Sequence, residues 1–371
     1  LDGSNSAAIT GFMPSALGNE DVTWETTKTL NVGVDATFFK RKLNFSIDAW
    51  QRNTSDMLFQ KPIPQVVGVA TAPYINIGEM KNKGYDIELG YNNTAIGDKL
   101  KYSVNATLSH YKNEIIKLTG ETNSIQYPGE GNLRQMQYTA FQVGSAFPEF
   151  YGYIVDGIFQ TQAEADAWPQ YGSTNYNAPG HFKYRDVNGD KKITPDDRTW
   201  IGSPHPKFTG GLNIDLSYAN FDLNMFFYGS YGNKLVNYVS RWIDYGMFNG
   251  GLSKDALYKT WGSPYLKNSV DAELPKLDQN DISQQPSTAF LQDGSFLKMK
   301  SLRLGYTVPK DILQKIQVKN LRIYAQVSNL FTITKYKGLD PELNSSGSGM
   351  GLDQGAWPSA RQVMFGINLG L

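Results

Sequence analysis

The chain has 371 residues, of which 35 are Lys or Arg and 35 are Asp or Glu, so its formal net charge is zero. This lack of a basic excess argues against a nucleic-acid-binding protein. Cysteine is absent, which excludes disulfides, thiolate metal sites and cysteine nucleophiles in this chain. Aromatic residues make up 13% of it and there are 36 glycines, a composition typical of all-β proteins with many turns.

The first fifteen residues, LDGSNSAAITGFMPS, lack an initiator Met, a positively charged region and an apolar stretch. They are therefore not a signal peptide. We interpret them as a loop and expect the chain to begin within a larger protein.

Segments in which apolar and polar residues alternate recur along the whole chain, which is the period of a β-strand with one apolar face. We count about a dozen predicted strands. The clearest lie at 30–38, 43–49, 85–92, 102–108, 212–218, 221–227, about 295–308, about 319–334 and 362–371. Short turns at 39–42, 97–99 and 219–220 join three pairs of them into predicted hairpins.

The connections at the other end of these hairpins are long and rich in Gly, Pro, Asn, Ser and Asp. They lie at 57–72, 118–131, 161–205, 232–290 and 335–358. Short turns at one end and long loops at the other are typical of an outer-membrane β-barrel. Strands of more than ten residues, at 99–117 and 206–219, also favour a barrel over a soluble β-sandwich, whose strands are shorter.

Aromatic residues gather near the ends of the predicted strands, where the girdles of a membrane barrel would lie. They are Phe38, Phe39, Tyr85, Tyr91, Tyr102, Tyr111, Tyr218 and Tyr306. A soluble β-sandwich that buries its apolar rows in a core remains the alternative.

The stretch DVNGDKKITPDD at 186–197 has the oxygen spacing of a twelve-residue calcium loop. The candidate ligands are Asp186, Asn188, Asp190, Lys192 through its carbonyl, Thr194 and Asp197. Lys191 occupies the position where Gly is preferred, and no flanking helix fits, so the chain is not a calcium sensor of the EF-hand type. The two readings left open are a structural calcium site and a turn rich in Asp and Asn.

Aromatic residues in the two longest predicted loops are candidates for stacking on a substrate. They are Trp168, Tyr171 and Tyr176 in 161–205, and Trp242, Tyr245 and Trp261 in 232–290. The alternative is that these rings pack the loops against one another. We find no nucleophile elbow, phosphate-binding loop or paired carboxylates, and we predict no enzymatic activity and no required cofactor.

Several stretches in order along the chain closely resemble the C-terminal part of the SusC/RagA family of TonB-dependent outer-membrane transporters of Bacteroidetes. They include FFKRKLNFSIDAWQRNTSDML (38–58), NIGEMKNKGYDIELGYNN (76–93), FYGYIVDGIFQTQAEADAW (150–168), the segment from 179 to 237, LRIYAQVSNLFTITKYKGLDPE (321–342) and RQVMFGINLGL (361–371). The resemblance thus extends over most of the sequence.

The resemblance implies an all-β fold in which residues 1–371 form the C-terminal portion of a 22-stranded antiparallel transmembrane barrel. The loops 161–205 and 232–290 would then be extracellular. It also implies active import of an oligosaccharide or oligopeptide across the outer membrane, with a SusD-like surface lipoprotein as a lid. TonB would act through an N-terminal part that this chain lacks, and membrane lipid would surround the wall.

Two other functions are open to the sequence. A soluble, secreted β-sandwich could bind glycans through its loop aromatics, and it would need no detergent. A passive porin would require a complete barrel.

Overall fold

The fold is a single large antiparallel sheet with elaborate connections at one end. The computed structural model describes residues 18–60, 73–76, 78–118, 125, 127, 132–133, 136–172, 176–246, 250–278, 285–314, 318–343 and 345–370. The predicted loop at 1–15 lies outside them. The nine strands of the sheet are β1 (Thr26–Phe38), β2 (Leu43–Ser55), β3 (Gly78–Ala95), β4 (Leu100–Leu118), β5 (Phe208–Tyr218), β6 (Phe221–Tyr231), β7 (Phe296–Thr307), β8 (Asn320–Thr334) and β9 (Gln362–Gly370).

The strands lie side by side in the order in which they occur in the chain, each antiparallel to the next. All nine clearest predicted strands are confirmed, although several extend beyond their predicted ends. The count of about a dozen was too high for this sheet, because the remaining strands of the described residues are short and lie in the connections. Among those residues, β1 pairs only with β2 and β9 only with β8.

The connections alternate in length. Residues 39–42, 96–99, 219–220 and 308–319 join strands at one end, which we call the turn end. At the opposite end, the loop end, much longer connections span 56–77, 119–207, 232–295 and 335–361. The predicted loops 161–205 and 232–290 thus fall within single connections.

The loop-end connections contain most of the short elements. Short strands lie at Leu58–Gln60, Tyr74–Asn76, Asn132–Leu133, Met136–Gln137, Thr139–Ala140, Glu149–Gly152, Val155–Ile158, Gln170–Tyr171, Phe182–Tyr184, Lys192–Ile193, Thr199–Gly202, Lys234–Asn237, Leu291–Asp293 and Leu352–Asp353. The helices are α1 (Gln162–Ala167), α2 (Ser240–Ile243), α3 (Lys254–Lys259) and, at the turn end, α4 (Lys310–Leu313), with 3-10 turns at Pro195–Asp197, Ser269–Asp271, Thr288–Phe290 and Gly347–Gly349. In the part of the chain that is described, no helix is long and apolar enough to cross a membrane.

The register gives the sheet one apolar face, which we call the outward face. One row of directly opposed residues crosses all nine strands and is apolar throughout: Phe38, Leu43, Tyr91, Val104, Ile214, Met225, Leu302, Val327 and Val363. Many side chains of this face are exposed, among them Val32 at 64% and Phe365 at 80%. An apolar face of this size, on which no second sheet packs among the described residues, requires lipid or another apolar partner.

The opposite side of the sheet, the polar face, carries hydrophilic side chains. The adjacent row is polar on six strands, with Asn92, Ser103, Asp215, Asn224, Arg303 and Gln326, and ends in the apolar Met364 on β9. This is the alternation of a membrane barrel, in which lipid-facing and lumen-facing residues alternate. A β-sandwich would instead bury its apolar face between two sheets.

The buried hydrophobic residues lie mainly outside the long strands, in the connections of the loop end. The larger cluster contains Leu133, Tyr138, Phe150, Tyr153, Phe182, Tyr184, Ile193, Val236, Tyr238, Tyr245, Leu274, Phe290 and Leu352. A smaller one contains Met57, Ile115, Leu118 and Phe141. The core of this chain therefore stabilises its loops, whereas the sheet exposes its apolar side chains.

One predicted member of the aromatic girdle was wrong. Tyr111 alternates with the outward residues of β4 and lies on the polar face, where its hydroxyl is 2.9 Å from Nδ1 of His205. Residues of the 119–207 connection cover it, because Phe147 accepts a hydrogen bond from Nε2 of His205 at 3.1 Å. Its neighbour His110 is the outward residue, with its ring 5.2 Å from that of Tyr85.

The two faces of β5 should respond oppositely to a charge. Ile214→Arg places a guanidinium in the apolar row, where lipid exposure costs about 2–4 kcal/mol near the bilayer midplane. Asn213→Arg is the matched control, because residue 213 lies on the polar face and its amide is 2.5 Å from the Asp215 carboxylate. Folding into lipid vesicles, followed by gel mobility without heating, should fail only for Ile214→Arg. Equal folding of both variants would contradict the lipid-facing assignment.

Candidate functional site: the polar face and the loop assembly

At the turn end of the polar face, an ion pair bridges three strands. Arg322 on β8 donates to the carboxylate of Asp222 on β6, with Nε–Oδ1 and Nη2–Oδ2 distances of 2.9 and 2.5 Å. Gly305 on the intervening strand β7 makes room, since a Cβ atom there would overlap both side chains. Bidentate pairing of this kind fixes geometry as well as charge.

Amide and carboxylate groups form a network at the centre of the same face. Asp215 accepts hydrogen bonds from Asn213 at 2.5 Å and from Asn224 at 2.7 Å. On the first strands, Trp50 Nε1 donates to Asp86 at 2.8 Å. Such a surface suits water or polar protein groups and not lipid.

At the loop end of the polar face, a charge cluster attaches the 335–361 connection to β7. Lys298 Nζ lies 2.9 Å from Asp340 Oδ1 and 2.7 Å from Glu342 Oε2, and its side chain is 1% exposed. Lys300 contacts the same Glu342 carboxylate at 2.5 Å and is 27% exposed. Asp340 also accepts from the backbone N–H of Ser359, so it links both ends of the connection.

The three longest connections interlock above the polar face into what we call the loop assembly. The strand Lys234–Asn237 lies between Leu291–Asp293 and the parallel strand Leu352–Asp353. Thr139 donates to the carbonyl of Ser348 at 3.1 Å, although the two are far apart in sequence. The loop assembly is therefore one packed layer and not a set of independent loops.

The structure places the predicted stacking aromatics mainly in packing contacts inside the loop assembly. Trp168 Nε1 donates to the Tyr184 carbonyl at 2.7 Å, and Trp261 Nε1 donates to Gln160 at 3.0 Å. Trp242 packs against the ring of Tyr238, with centroids 6.3 Å apart. These three are half-buried, which is the packing alternative that the sequence left open.

The remaining candidates differ in exposure. Tyr245 does not present its ring to solvent, because it is 4% exposed and packs on Phe290. Its hydroxyl donates to the Ala289 carbonyl at 3.3 Å, and burial raises the pKa of that hydroxyl. Tyr171 is half-buried against Tyr184, whereas Tyr176 is 37% exposed and offers a ring to solvent. Substrate contact by these residues stays a prediction.

The predicted calcium ligands form a loop whose oxygens accept backbone hydrogen bonds. Asp186 accepts from the N–H groups of Gly189 and Lys191, and Asn188 and Asp190 accept from residues two further on. Asp197 is fully buried and accepts from Val187 and from Thr194, while Thr194 accepts from Asp196, and Lys192 begins a short strand. Among the described residues, no group of three acidic or His side chains could hold a metal ion. Calcium binding stays a prediction.

A cleft at the outer surface of the loop assembly separates the 119–207 and 232–295 connections. Two ion pairs lie at its wall: Arg185 binds Asp156 through both carboxylate oxygens, and Lys183 binds Glu164. The N–H of Gln160 also donates to the Glu164 carboxylate; this bond and the Lys183 contact together lower the pKa of Glu164. The floor includes Phe182 and Tyr245.

Sequence reasoning missed the Lys298 cluster and the Asp222–Arg322 pair. The Lys298 cluster joins residues about 40 positions apart, and the Asp222–Arg322 pair joins residues 100 positions apart. Neither interaction belongs to a short sequence motif. The available signal was the pair of lysines at positions 298 and 300 near the start of a strand, among the apolar residues Phe296, Leu297 and Met299. Such residues need carboxylate partners when buried.

A sheet that is apolar on one face, polar on the other and looped at one end is the wall of a β-barrel of the outer-membrane type. The family model described as TonB dependent receptor-like, beta-barrel matches residues 3–330. The chain belongs to this family.

Its relatives narrow the group to SusC/RagA-like proteins. The chain is 32% identical over 370 residues to TonB-dependent receptor P3 of Formosa agariphila, covering 97% of this chain and 36% of that protein. It is 30% identical over 361 residues to TonB-dependent receptor SusC of Bacteroides thetaiotaomicron, covering 95% of this chain and 32% of that protein. The chain thus spans about a third of the curated relatives it matches.

A solved structure agrees with these relatives. The structure of the RagAB peptide transporter superposes with a TM-score of 0.75 at 27% identity, over 95% of this chain and 36% of that one. The same importer in its closed-closed state gives a TM-score of 0.73. The predicted family and the predicted antiparallel barrel fold are confirmed.

Gly305 should not tolerate a side chain while the ion pair between Asp222 and Arg322 is intact. Gly305→Ala forces the Asp222 and Arg322 side chains apart, and overpacking of this kind costs about 1–3 kcal/mol. In an Asp222→Ala background the same substitution should cost much less, because the new methyl group displaces no carboxylate. Urea unfolding of the barrel in vesicles measures both. Identical costs in the two backgrounds would show that the pair and the glycine are independent.

Lys298 should hold the 335–361 connection in place more firmly than Lys300 does. Lys298→Met leaves the nearly buried Asp340 carboxylate without its cation, a loss of about 3–5 kcal/mol for a buried pair. Lys300→Met is the control, and a more exposed pair contributes at most about 1 kcal/mol. Hydrogen exchange should show loss of protection across 335–361 only in the first variant. Equal protection in both would refute the anchoring role.

The same anchor should weaken in acid. Burial acts to raise the pKa of Asp340, but hydrogen bonds from Ser359 and Lys298 outweigh it and hold the pKa below its usual value. A carboxyl group whose pKa is lowered by folding stabilises the folded state at pH values above its unfolded-state pKa of about 3.9. This stabilisation is lost as the pH falls further. Protection of 335–361 should therefore be constant near neutrality and decline below about pH 4. A decline beginning near pH 6 would implicate another group.

Proposed function

We propose that the protein forms part of the wall of an active, TonB-dependent importer in the outer membrane of a Gram-negative bacterium. The observation that carries this proposal is the row of apolar residues across all nine strands, opposite a face of carboxylates, amides and guanidinium groups. A wall of that kind separates lipid from a polar interior. The family match and the likeness to SusC and RagAB support the same placement.

The cargo, we infer, is an oligosaccharide or an oligopeptide, and a SusD-like lipoprotein covers the loop assembly. Support for the lid comes from the loop assembly itself, a packed layer rich in aromatic rings. Exposed rings such as Tyr258 and Tyr265, with centroids 5.2 Å apart, offer contacts to a partner. TonB would act through parts of the whole protein beyond this chain, and we propose no catalytic residue.

The soluble glycan-binding β-sandwich fits the structure poorly. It would need a second sheet over the apolar face, and Val32 and Phe365 would have to be buried. A passive porin agrees with the wall but gives no role to the loop assembly.

Extraction of the full-length protein from outer membranes tests the placement and the partner. We expect it in the membrane fraction, released only by detergent, and accompanied by one lipoprotein in equal amount. Recovery in the water-soluble fraction would overturn the proposal.

Uptake tests transport directly. Cells are given two labelled probes, a tryptic peptide pool and a pool of glucan oligosaccharides, with a strain lacking TonB as the control. One pool should accumulate only when both this protein and TonB are present. Accumulation of neither, or equal accumulation without TonB, would contradict active import.

A further inference from the structure

Four strands carry an unusual charge pattern on the outward face, just beyond the apolar belt on the side of the loop end. Lys83 of β3 lies directly opposite Lys112 of β4, and Lys81 lies opposite Glu114. All four side chains lie on the outward face, because they alternate along their strands with polar-face residues. They share this side of the sheet with Ile87 and Leu108. In the same row as Lys81, Asn53 of β2 and Lys28 of β1 follow.

The charges in this patch do not cancel. Lys112 Nζ pairs with Glu114 at 3.0 Å, and the same carboxylate interacts electrostatically with Lys83 and Lys81. Glu149 adds a weaker interaction with Lys112. Within the described residues Lys81 and Lys83 form no ion pair of their own. Like charges directly opposite each other destabilise a sheet unless an anion lies between them.

A largely apolar groove lies beneath the lysines. Its lining includes Val32, Ala49, Tyr85 and His110, which form the row directly beneath Lys83 and Lys112, and Leu30, which shares the row of Gln51, Lys83 and Lys112. The paired rings of Tyr85 and His110 mark the edge of the belt, where a membrane protein meets the headgroup layer. The lysines beyond them therefore lie at headgroup depth.

The clustering of several lysines distinguishes these strands. Toward the loop end of β5 to β8, the outward face is lined mainly by Phe208, Tyr231, Leu297 and Ile333, and the groove there includes one lysine, Lys335, together with Asp293. A general tendency of lysines to reach the interface would distribute them around the wall. Their concentration above one groove indicates a particular ligand.

We propose that Lys81, Lys83 and Lys112 bind the phosphate group of a phosphorylated lipid of the outer leaflet, whose acyl chains lie in the groove below. The proposal rests on the outer-membrane placement given above. Lysine ammonium groups are strong phosphate ligands, and basic pockets at the membrane surface hold lipid headgroups in this way. The bound phosphate would relieve the repulsion between Lys83 and Lys112.

Native mass spectrometry of the full-length protein, extracted from outer membranes in mild detergent, tests the site. The wild type should retain a phosphorylated glycolipid, and the double variant Lys83→Gln/Lys112→Gln should retain at least about tenfold less, since each 1.4 kcal/mol of lost affinity is tenfold. Lys101→Gln on the polar face of β4 is the control and should retain it fully. Equal retention by all three proteins, or no lipid on the wild type, would overturn the proposal.

Two further arms separate the lipid from free phosphate and from transport. Delipidated protein should rebind phosphorylated lipid A but not its dephosphorylated form, and inorganic phosphate should not displace it. Displacement by millimolar phosphate would mean that the site recognises the free ion and not a lipid. TonB-dependent uptake is measured in the wild type and in the double variant. Lipid loss with normal uptake in the double variant supports this site independently of transport, whereas a wild type that retains the lipid but shows no TonB-dependent uptake would count against the transport proposal alone.

Discussion

Backbone hydrogen bonding is the constraint on which the rest of this structure depends. In hydrocarbon an unpaired N–H or C=O group costs several kcal/mol, so a strand in the membrane must be paired along both edges. Each strand from β2 to β8 satisfies this by pairing with its neighbours in sequence. Once every polar backbone group is paired, the alternation of side chains alone decides which face meets lipid and which meets water.

That arrangement reverses the usual location of a hydrophobic core. The apolar side chains of the sheet face outward and are solvated by lipid, so they cannot hold the chain together by contact with each other. The loop assembly, in contrast, lies in water and collapses around rings such as Tyr138, Phe150 and Phe290. Two kinds of stabilisation thus coexist: paired backbone in the wall, and a conventional aromatic core above it.

Local patterns predicted the wall well and the loop assembly poorly. The alternation from Leu212 to Tyr218 is visible in seven residues, and the turn at 219–220 fixes its register with β6. By contrast, Tyr245 is buried because Phe290 and Phe182 approach from distant segments, which no window of sequence contains. The Asp222–Arg322 pair and the Lys298 cluster likewise depend on which strands become neighbours. Tyr111 was misplaced because aromatic residues at strand ends occur on both faces.

The strand order also dictates a sequence of events during biogenesis. Because each strand pairs with the one before it, the wall can grow hairpin by hairpin, and the hairpins closed by the turns 39–42, 96–99 and 219–220 form from contacts that are close along the chain. The loop assembly has no such freedom: Thr139 is bonded to Ser348, and Val236 to Gly351. Its core cannot be completed until the segment that precedes β9 has emerged, so β1 to β8 must all have emerged before the layer above them can close.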